Sequence, residues 1–187
     1  MTTNLLIASG SLSSNSQSNI LAQRAETAAG QLDDVSTTRI DPRDLDLQFC
    51  DGRDWEDYNS DVSAWQQEVS KADCYVFAVP VYNWSYTGVF KNMIDLIPPG
   101  GFGGCVAGLM GKGGTMKAFL MLQREMRSLM SYFGVTTLPE TVFASNSDFK
   151  DGNIVSDQIP AMIDDLVQQT VTTARQMDQE PTQVGSR

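Results

Sequence analysis

The chain passes quickly from a polar start into an unbroken apolar run, Leu5-Leu6-Ile7-Ala8, which breaks at Gly10 into hydroxyls and amides. A short continuous run bounded by a turn signal predicts a buried strand. Ile20–Ala29 follows with apolar residues at helical spacing and a stop at Gly30. Val35–Ile40 mixes apolar and polar positions and predicts an edge strand. Asp41–Asp54 is acidic and without period, and it reads as a surface loop. Val62–Ala72 carries Val62, Trp65 and Val69 on one helical face, with Asp61 or Ser60 as its cap. Cys74–Val79 is the strongest strand signal, a run apolar at every position, as in a parallel strand buried on both faces.

Pro80 reads as the stop of that strand, and Val89–Ile97 as the next helix, closed by Pro98-Pro99-Gly100-Gly101. Cys105–Met110 is a fourth strand, Met116–Phe133 a long amphipathic helix stopped by Gly134, and Val135–Leu138 with Thr141–Ala144 an interrupted fifth strand. Ile159–Met177 closes the chain as a helix, and residues 178–187 read as a flexible polar tail. Strands alternating with helices predict an α/β fold, a doubly wound parallel sheet with right-handed crossovers. No repeat or linker divides the 187 residues, so a single domain over 1–187 is expected.

Composition removes whole classes of chemistry. The net charge of −10 disfavours nucleic acid and anionic membrane surfaces as partners. The absence of histidine rules out Ser-His-Asp and Cys-His mechanisms and His-ligated metal. Cys50, Cys74 and Cys105 are widely spaced, with no zinc or disulfide pattern among them. No signal peptide or membrane span is visible, which predicts a cytoplasmic protein.

What remains is a constellation of loops. In a doubly wound sheet, ligands sit beyond the carboxyl ends of the strands, and an order 2-1-3-4-5 makes strands one, three and four neighbours. The loop after strand one offers Ser11, Ser13, Ser16, Gln17 and Ser18 at a helix start, suited to a phosphate. It contains no lysine or arginine, so neutral dipoles would do the holding. The loop after strand three offers Pro80, Val81, Tyr82, Asn83, Trp84 and Ser85, suited to a flat ring with polar edges. The loop after strand four, Gly111, Lys112, Gly113, Gly114 and Thr115, lets backbone N–H groups approach a planar ligand. An anionic end and a flat, polar-edged end together describe a mononucleotide such as FMN. Each loop also has a plainer explanation: a Ser-capped helix start, aromatics covering the sheet end, a tight glycine turn. Lys112 reads either as a solvated charge or as a group near the flavin pyrimidine edge that stabilises the reduced ring. Met121, Met126 and Met130 read as core or interface fillers, and Asp95 as a structural acceptor.

Two stretches carry a resemblance to a known family. Gly10-Ser11-Leu12-Ser13-Ser14-Asn15-Ser16 is similar to the GSxRxxS phosphate loop of the NAD(P)H-dependent FMN reductases with a flavodoxin-like fold. Pro80-Val81-Tyr82-Asn83-Trp84-Ser85-Tyr86-Thr87-Gly88, continuing into Lys91-Asn92-Met93-Ile94-Asp95, resembles a second and more specific block of that family. The resemblance implies a flavodoxin-like sandwich with a five-stranded parallel sheet, and FMN held by the three loops with NADPH or NADH as reductant. It also implies hydride transfer borne by the cofactor, with no catalytic side chain and no metal. The implied acceptors are a quinone, an azo compound, a metal oxyanion, oxygen or a flavin-dependent monooxygenase, and the implied assembly a homodimer or homotetramer. Ser13 departs from the pattern by standing where arginine is frequent. The competing readings are an acidic flavodoxin-type electron carrier that never oxidises nicotinamide, and a binding module that has lost its flavin.

Overall fold

The computed structural model describes residues 1–179. The flexible tail expected over 178–187 therefore falls largely outside the described residues, while positions 178 and 179 belong to the last helix. The elements run β1 (Thr3–Ser9), α1 (Gln17–Ala29), β2 (Val35–Ile40), α2 (Ser60–Lys71), β3 (Cys74–Tyr82), β4 (Ser85–Tyr86), α3 (Gly88–Asp95) and β5 (Val106–Lys112). A helix in two α segments, α4 (Phe119–Met121) and α5 (Arg127–Tyr132), joined by a π-helical stretch at Leu122–Met126, precedes β6 (Thr136–Ala144). A small hairpin, β7 (Phe149–Lys150) and β8 (Asn153–Ile154), and α6 (Gln158–Gln179) complete the chain.

The main sheet has the order β2-β1-β3-β5-β6 with all neighbours parallel, and β4 folds back antiparallel on β3. With that short hairpin strand set aside, this is the expected 2-1-3-4-5 order of a flavodoxin-like fold. Alternation along the strands builds two cores. Leu5, Ile7, Val76, Ala78 and Met110 face α1 and α6, whereas Leu6, Phe77, Val79 and Leu109 face α2, α3 and the 119–132 helix. Burying each large aliphatic or aromatic side chain contributes about 1.5–3 kcal/mol, so both helical layers are held mainly by this surface. Met121, Met126 and Met130 lie in the second core, as fillers.

Three details differ from expectation. β3 runs through Pro80 to Tyr82, with Pro80 in register with Lys112. Pairing with β1 ends at Ser9 and Ala78, so beyond that point the β1 side of the strand has no ladder for the missing N–H to break. The cap of α2 is Asn59, whose side chain accepts from Val62 N, rather than Asp61 or Ser60. The interruption in β6 is a bulge: its register jumps between the pairs Ala107–Thr137 and Leu109–Thr141. Arg127 reaches the carbonyls freed there, donating to Leu138 O at 2.6 Å and to Pro139 O at 2.6 Å.

Candidate functional site

The parallel order brings the carboxyl ends of β1, β3, β5 and β6 to one edge, and their loops enclose a crevice of about 290 Å3. The first wall is built on Gly10. Its N–H donates to Ala78 O at 3.0 Å, and its carbonyl accepts from Thr87 Oγ1 at 2.6 Å. A Cβ at Gly10 would stand 2.8 Å from Phe90 Cβ, so glycine here lets α3 pack directly against the loop. Ser11 Oγ accepts from Ser13 N at 3.2 Å and fixes the turn. Ser16 caps α1, its Oγ accepting from Asn19 N at 3.1 Å and lying 2.9 Å from Ser18 Oγ. The N–H groups of Gln17 and Ser18, in the first turn of α1, find no acceptor among the described residues. Ser9 Oγ, at the root of the loop, is the buried side-chain polar atom without a partner among the described residues.

The second wall is the end of β3. Pro80, Val81 and Tyr82 border the crevice, Tyr82 with 56% of its surface exposed. The chain then turns through Asn83 and Trp84, both left-handed with φ of 50° and 66°, and pairs back through Ser85 and Tyr86. Ser85 Oγ donates to Glu125 Oε2 on the π-helical stretch. Trp84 borders a second groove of about 550 Å3 with Leu120, Met121, Arg124 and Glu125.

The third wall is Lys112-Gly113-Gly114. Gly113 N–H donates to Ala144 O at 3.0 Å. A Cβ on Gly113 would meet Phe143 Cζ at 2.7 Å, and one on Gly111 would meet Leu122 Cδ1 at 2.8 Å. These two glycines are therefore demanded by packing beneath the loop, while Gly114 has open space where a Cβ would sit. Among the described residues, Lys112 is the single charged side chain lining the crevice. Its Nζ donates to Asn146 Oδ1 at 2.5 Å, and burial lowers its pKa from 10.5.

The structure thus gathers most of the expected residues around one space. Ser11, Ser13, Ser16, Gln17 and Ser18 face Pro80, Val81 and Tyr82 across it, with Lys112, Gly113 and Gly114 on the third side. Asn83, Trp84, Ser85, Gly111 and Thr115 border the same loops without lining the crevice. Two liners were not singled out from the sequence, Asn15 and Asn146. Asn146 follows the fifth strand, and the rule that ligands sit beyond strand ends pointed to it. The crevice fits an FMN-like ligand on its donor set: hydroxyls, free N–H groups at a helix start, and one cation opposite them. Elsewhere the polar block after Pro80 has structural duties. Asn92 holds the loop before α2 through Gln48 O and Cys50 N, and Lys91 pairs with Asp95. Cys74 is buried, which pushes its thiol up to about 12 and leaves it inert. No described group of histidine, cysteine or carboxylate residues has the arrangement of a metal site. No described helix is long and apolar enough to cross a membrane.

Comparisons with known proteins place the chain in a family. An NAD(P)H-dependent FAD/FMN reductase of Geobacillus thermodenitrificans is 34% identical over 124 residues, 66% of this chain and 67% of that protein. An FMN reductase (NADPH) of Pseudomonas aeruginosa is 36% identical over 104 residues, 56% of either chain. Among solved structures, an oxidoreductase from Corynebacterium diphtheriae superimposes with a TM-score of 0.80 at 22% identity, covering 94% of this chain and 98% of its own. An apo NADH:FMN oxidoreductase (EmoB) gives 0.78 at 24% identity, covering 92% and 90%. These two likenesses establish the fold. A family model described as NADPH-dependent FMN reductase matches residues 3–150, the whole of the main sheet and all three walls of the crevice, and this chain belongs to that family.

Proposed function

We propose that the crevice holds FMN and that the protein reduces it with NADPH or NADH. The observation that carries this reading is the convergence of three chemically different walls on one space: a serine-rich helix start, an aromatic strand end and a glycine turn bearing Lys112. In this reading the phosphate lies against Ser11, Ser13, Ser16, Gln17 and Ser18, and the ring system along Pro80–Tyr82 and Gly113–Gly114. When bound, FMN supplies hydride acceptance at N5 and onward delivery of electrons. The chain's part is to hold the ring, to offer donors at its edges, and to leave one face open for the nicotinamide. Lys112, with Asn146 orienting its ammonium, adds positive charge where the reduced ring gathers negative charge. No histidine is needed for such a division of labour.

The electron acceptor in this reading is a small oxidant such as a quinone or azo compound, or reduced flavin passes to a flavin-dependent monooxygenase. The described residues form a single domain, and the exposed Trp84, Met116 and Leu120 support a homo-oligomer joined near the second groove. The test is the visible spectrum of the protein with FMN, recorded anaerobically before and after NADPH and then NADH. Bleaching of the flavin band by either nucleotide is the expected result. A bound flavin that neither nucleotide bleaches would make the protein an electron carrier instead.

A further inference from the structure

The serine loop contains no cation, yet it has one behind it. β2 pairs in parallel with β1, so the segment after Ile40 emerges beside the loop after Ser9. Pro42–Asp44 forms a 3-10 turn there, capped by Asp41, which accepts from Arg43 N at 3.1 Å. The Asp41 carboxylate is buried, 5% exposed, and it takes the Arg43 guanidinium in a fork: Nε to Oδ1 at 2.9 Å and Nη2 to Oδ2 at 2.5 Å. A bidentate pair of this kind fixes orientation as well as charge. The remaining nitrogen, Nη1, is thereby delivered to the phosphate loop. It donates to Ser13 O at 3.4 Å and to Ser14 O at 3.3 Å.

Those two carbonyls decide which way the next peptide N–H groups face. In a planar trans peptide the C=O of one residue and the N–H of the next point in opposite directions. Drawing Ser13 O and Ser14 O back toward Arg43 turns the N–H groups of Ser14 and Asn15 away from Arg43. Ser13 and Asn15 line the crevice while Arg43 does not, so the guanidinium acts on the loop from its outer side. Arg39 stands farther off, its Nη1 3.8 Å from Asp41 Oδ2 and its Nε bound to Glu26 Oε2 at 2.7 Å, so Arg43 is the direct partner of the buried carboxylate.

We infer that Arg43, oriented by Asp41, is a positioning residue that sets the serine loop to receive a phosphate dianion and so makes the site select phosphorylated flavin. The inference rests on the flavin reading above. Its specific consequence is discrimination: riboflavin, which has the same ring and no phosphate, gains nothing from this arrangement.

The experiment is a fluorescence-quenching titration of the wild type, Arg43→Gln and Arg43→Lys with FMN and with riboflavin. Arg43→Gln is expected to weaken FMN by about tenfold, the equivalent of one charge-assisted hydrogen bond, and to leave riboflavin unchanged. Arg43→Lys keeps the charge but has no fork to hold Asp41 and both carbonyls, so a smaller loss confined to FMN is expected. An unchanged ratio of FMN to riboflavin affinity in Arg43→Gln overturns the inference, whether both affinities hold or both fall. If that variant does not fold, an Arg43→Lys ratio equal to the wild type's overturns it equally. Wild-type protein that binds neither flavin refutes the flavin reading itself, a result distinct from either.

Discussion

The serine wall and the glycine wall border the same crevice, and they are held by opposite means. The serine wall is tied by single polar bonds: Thr87 Oγ1 to Gly10 O, Ser13 N to Ser11 Oγ, and Arg43 Nη1 to Ser13 O and Ser14 O. The glycine wall is tied by shape, with Phe143, Leu122 and Ala118 filling the volume where side chains on Gly111 and Gly113 would be. A polar tie is directional and worth about 1 kcal/mol, so the first wall is tuned bond by bond. A steric tie transmits an atom added at Gly111 or Gly113 into the side chains beneath, so those two positions of the second wall are set by packing.

The contrast is broken most forcefully at Gly10, where the serine wall has a steric contact of its own. Gly10→Val should cost about 3 kcal/mol, because Phe90 Cβ is part of a helix and cannot swing aside. A urea midpoint equal to the wild type's would contradict it. Gly113→Ala is expected to cost about 1–2 kcal/mol in the same measurement, since Phe143 Cζ is the far end of a ring that can tilt. Ser16→Ala should cost about 1 kcal/mol through the lost cap and weaken FMN as well, and Ser11→Ala should weaken FMN. Unaltered FMN affinity in both serine variants would remove the loop from the site. Lys112→Gln should make the midpoint potential of bound flavin more negative, on the order of 30 mV, measured by anaerobic dye equilibration. No shift would assign Lys112 to the surface alone.

The smallest effect is one of pH. Burial pushes the Asp41 carboxyl up, but the hydrogen bonds and charges of Arg43 and Arg39 outweigh it and leave the pKa below 3.8. A carboxylate with a depressed folded-state pKa contributes stability that is present above 3.8 and lost as pH falls through the lower folded value. Asp41→Asn should flatten that part of an acid unfolding curve and leave the neutral region without this dependence. An acid limb of unchanged slope would show that Asp41 titrates normally.

Local signals made the main strands and the three loops of the crevice legible, and the fold type supplied the strand order. The apolar runs of β1, β3 and β5 and the Gly10 break each depend on neighbours within a few residues. Where the deciding contact lies far along the chain, the sequence was silent. Asn59 as the cap of α2 is selected by bonds to Gln48 and Asp46 that no capping rule contains. Arg43 sits in a segment read as surface loop, and its meaning appears only when β2 lies beside β1. The packing demand on Gly111 and Gly113 was equally hidden, because the side chains they spare, Leu122 and Phe143, come from other elements. Pro80 looked like a strand end because a ladder that stops on one side of a strand leaves no mark in its own residues.

The turn at Asn83 and Trp84 has a mechanical consequence. Two adjacent left-handed residues without a glycine cost roughly 1–3 kcal/mol each, yet they give the tight hairpin the twist of its flanking strands. Backbone geometry, more than side-chain rotation, therefore determines where the indole stands. Trp84 is carried like the blade of a fixed bracket, with one foot in β3 and the other pinned to Glu125 through Ser85. The hairpin thus ties the π-helical stretch, through Ser85 and its strand partner Tyr82, to the rim of the crevice.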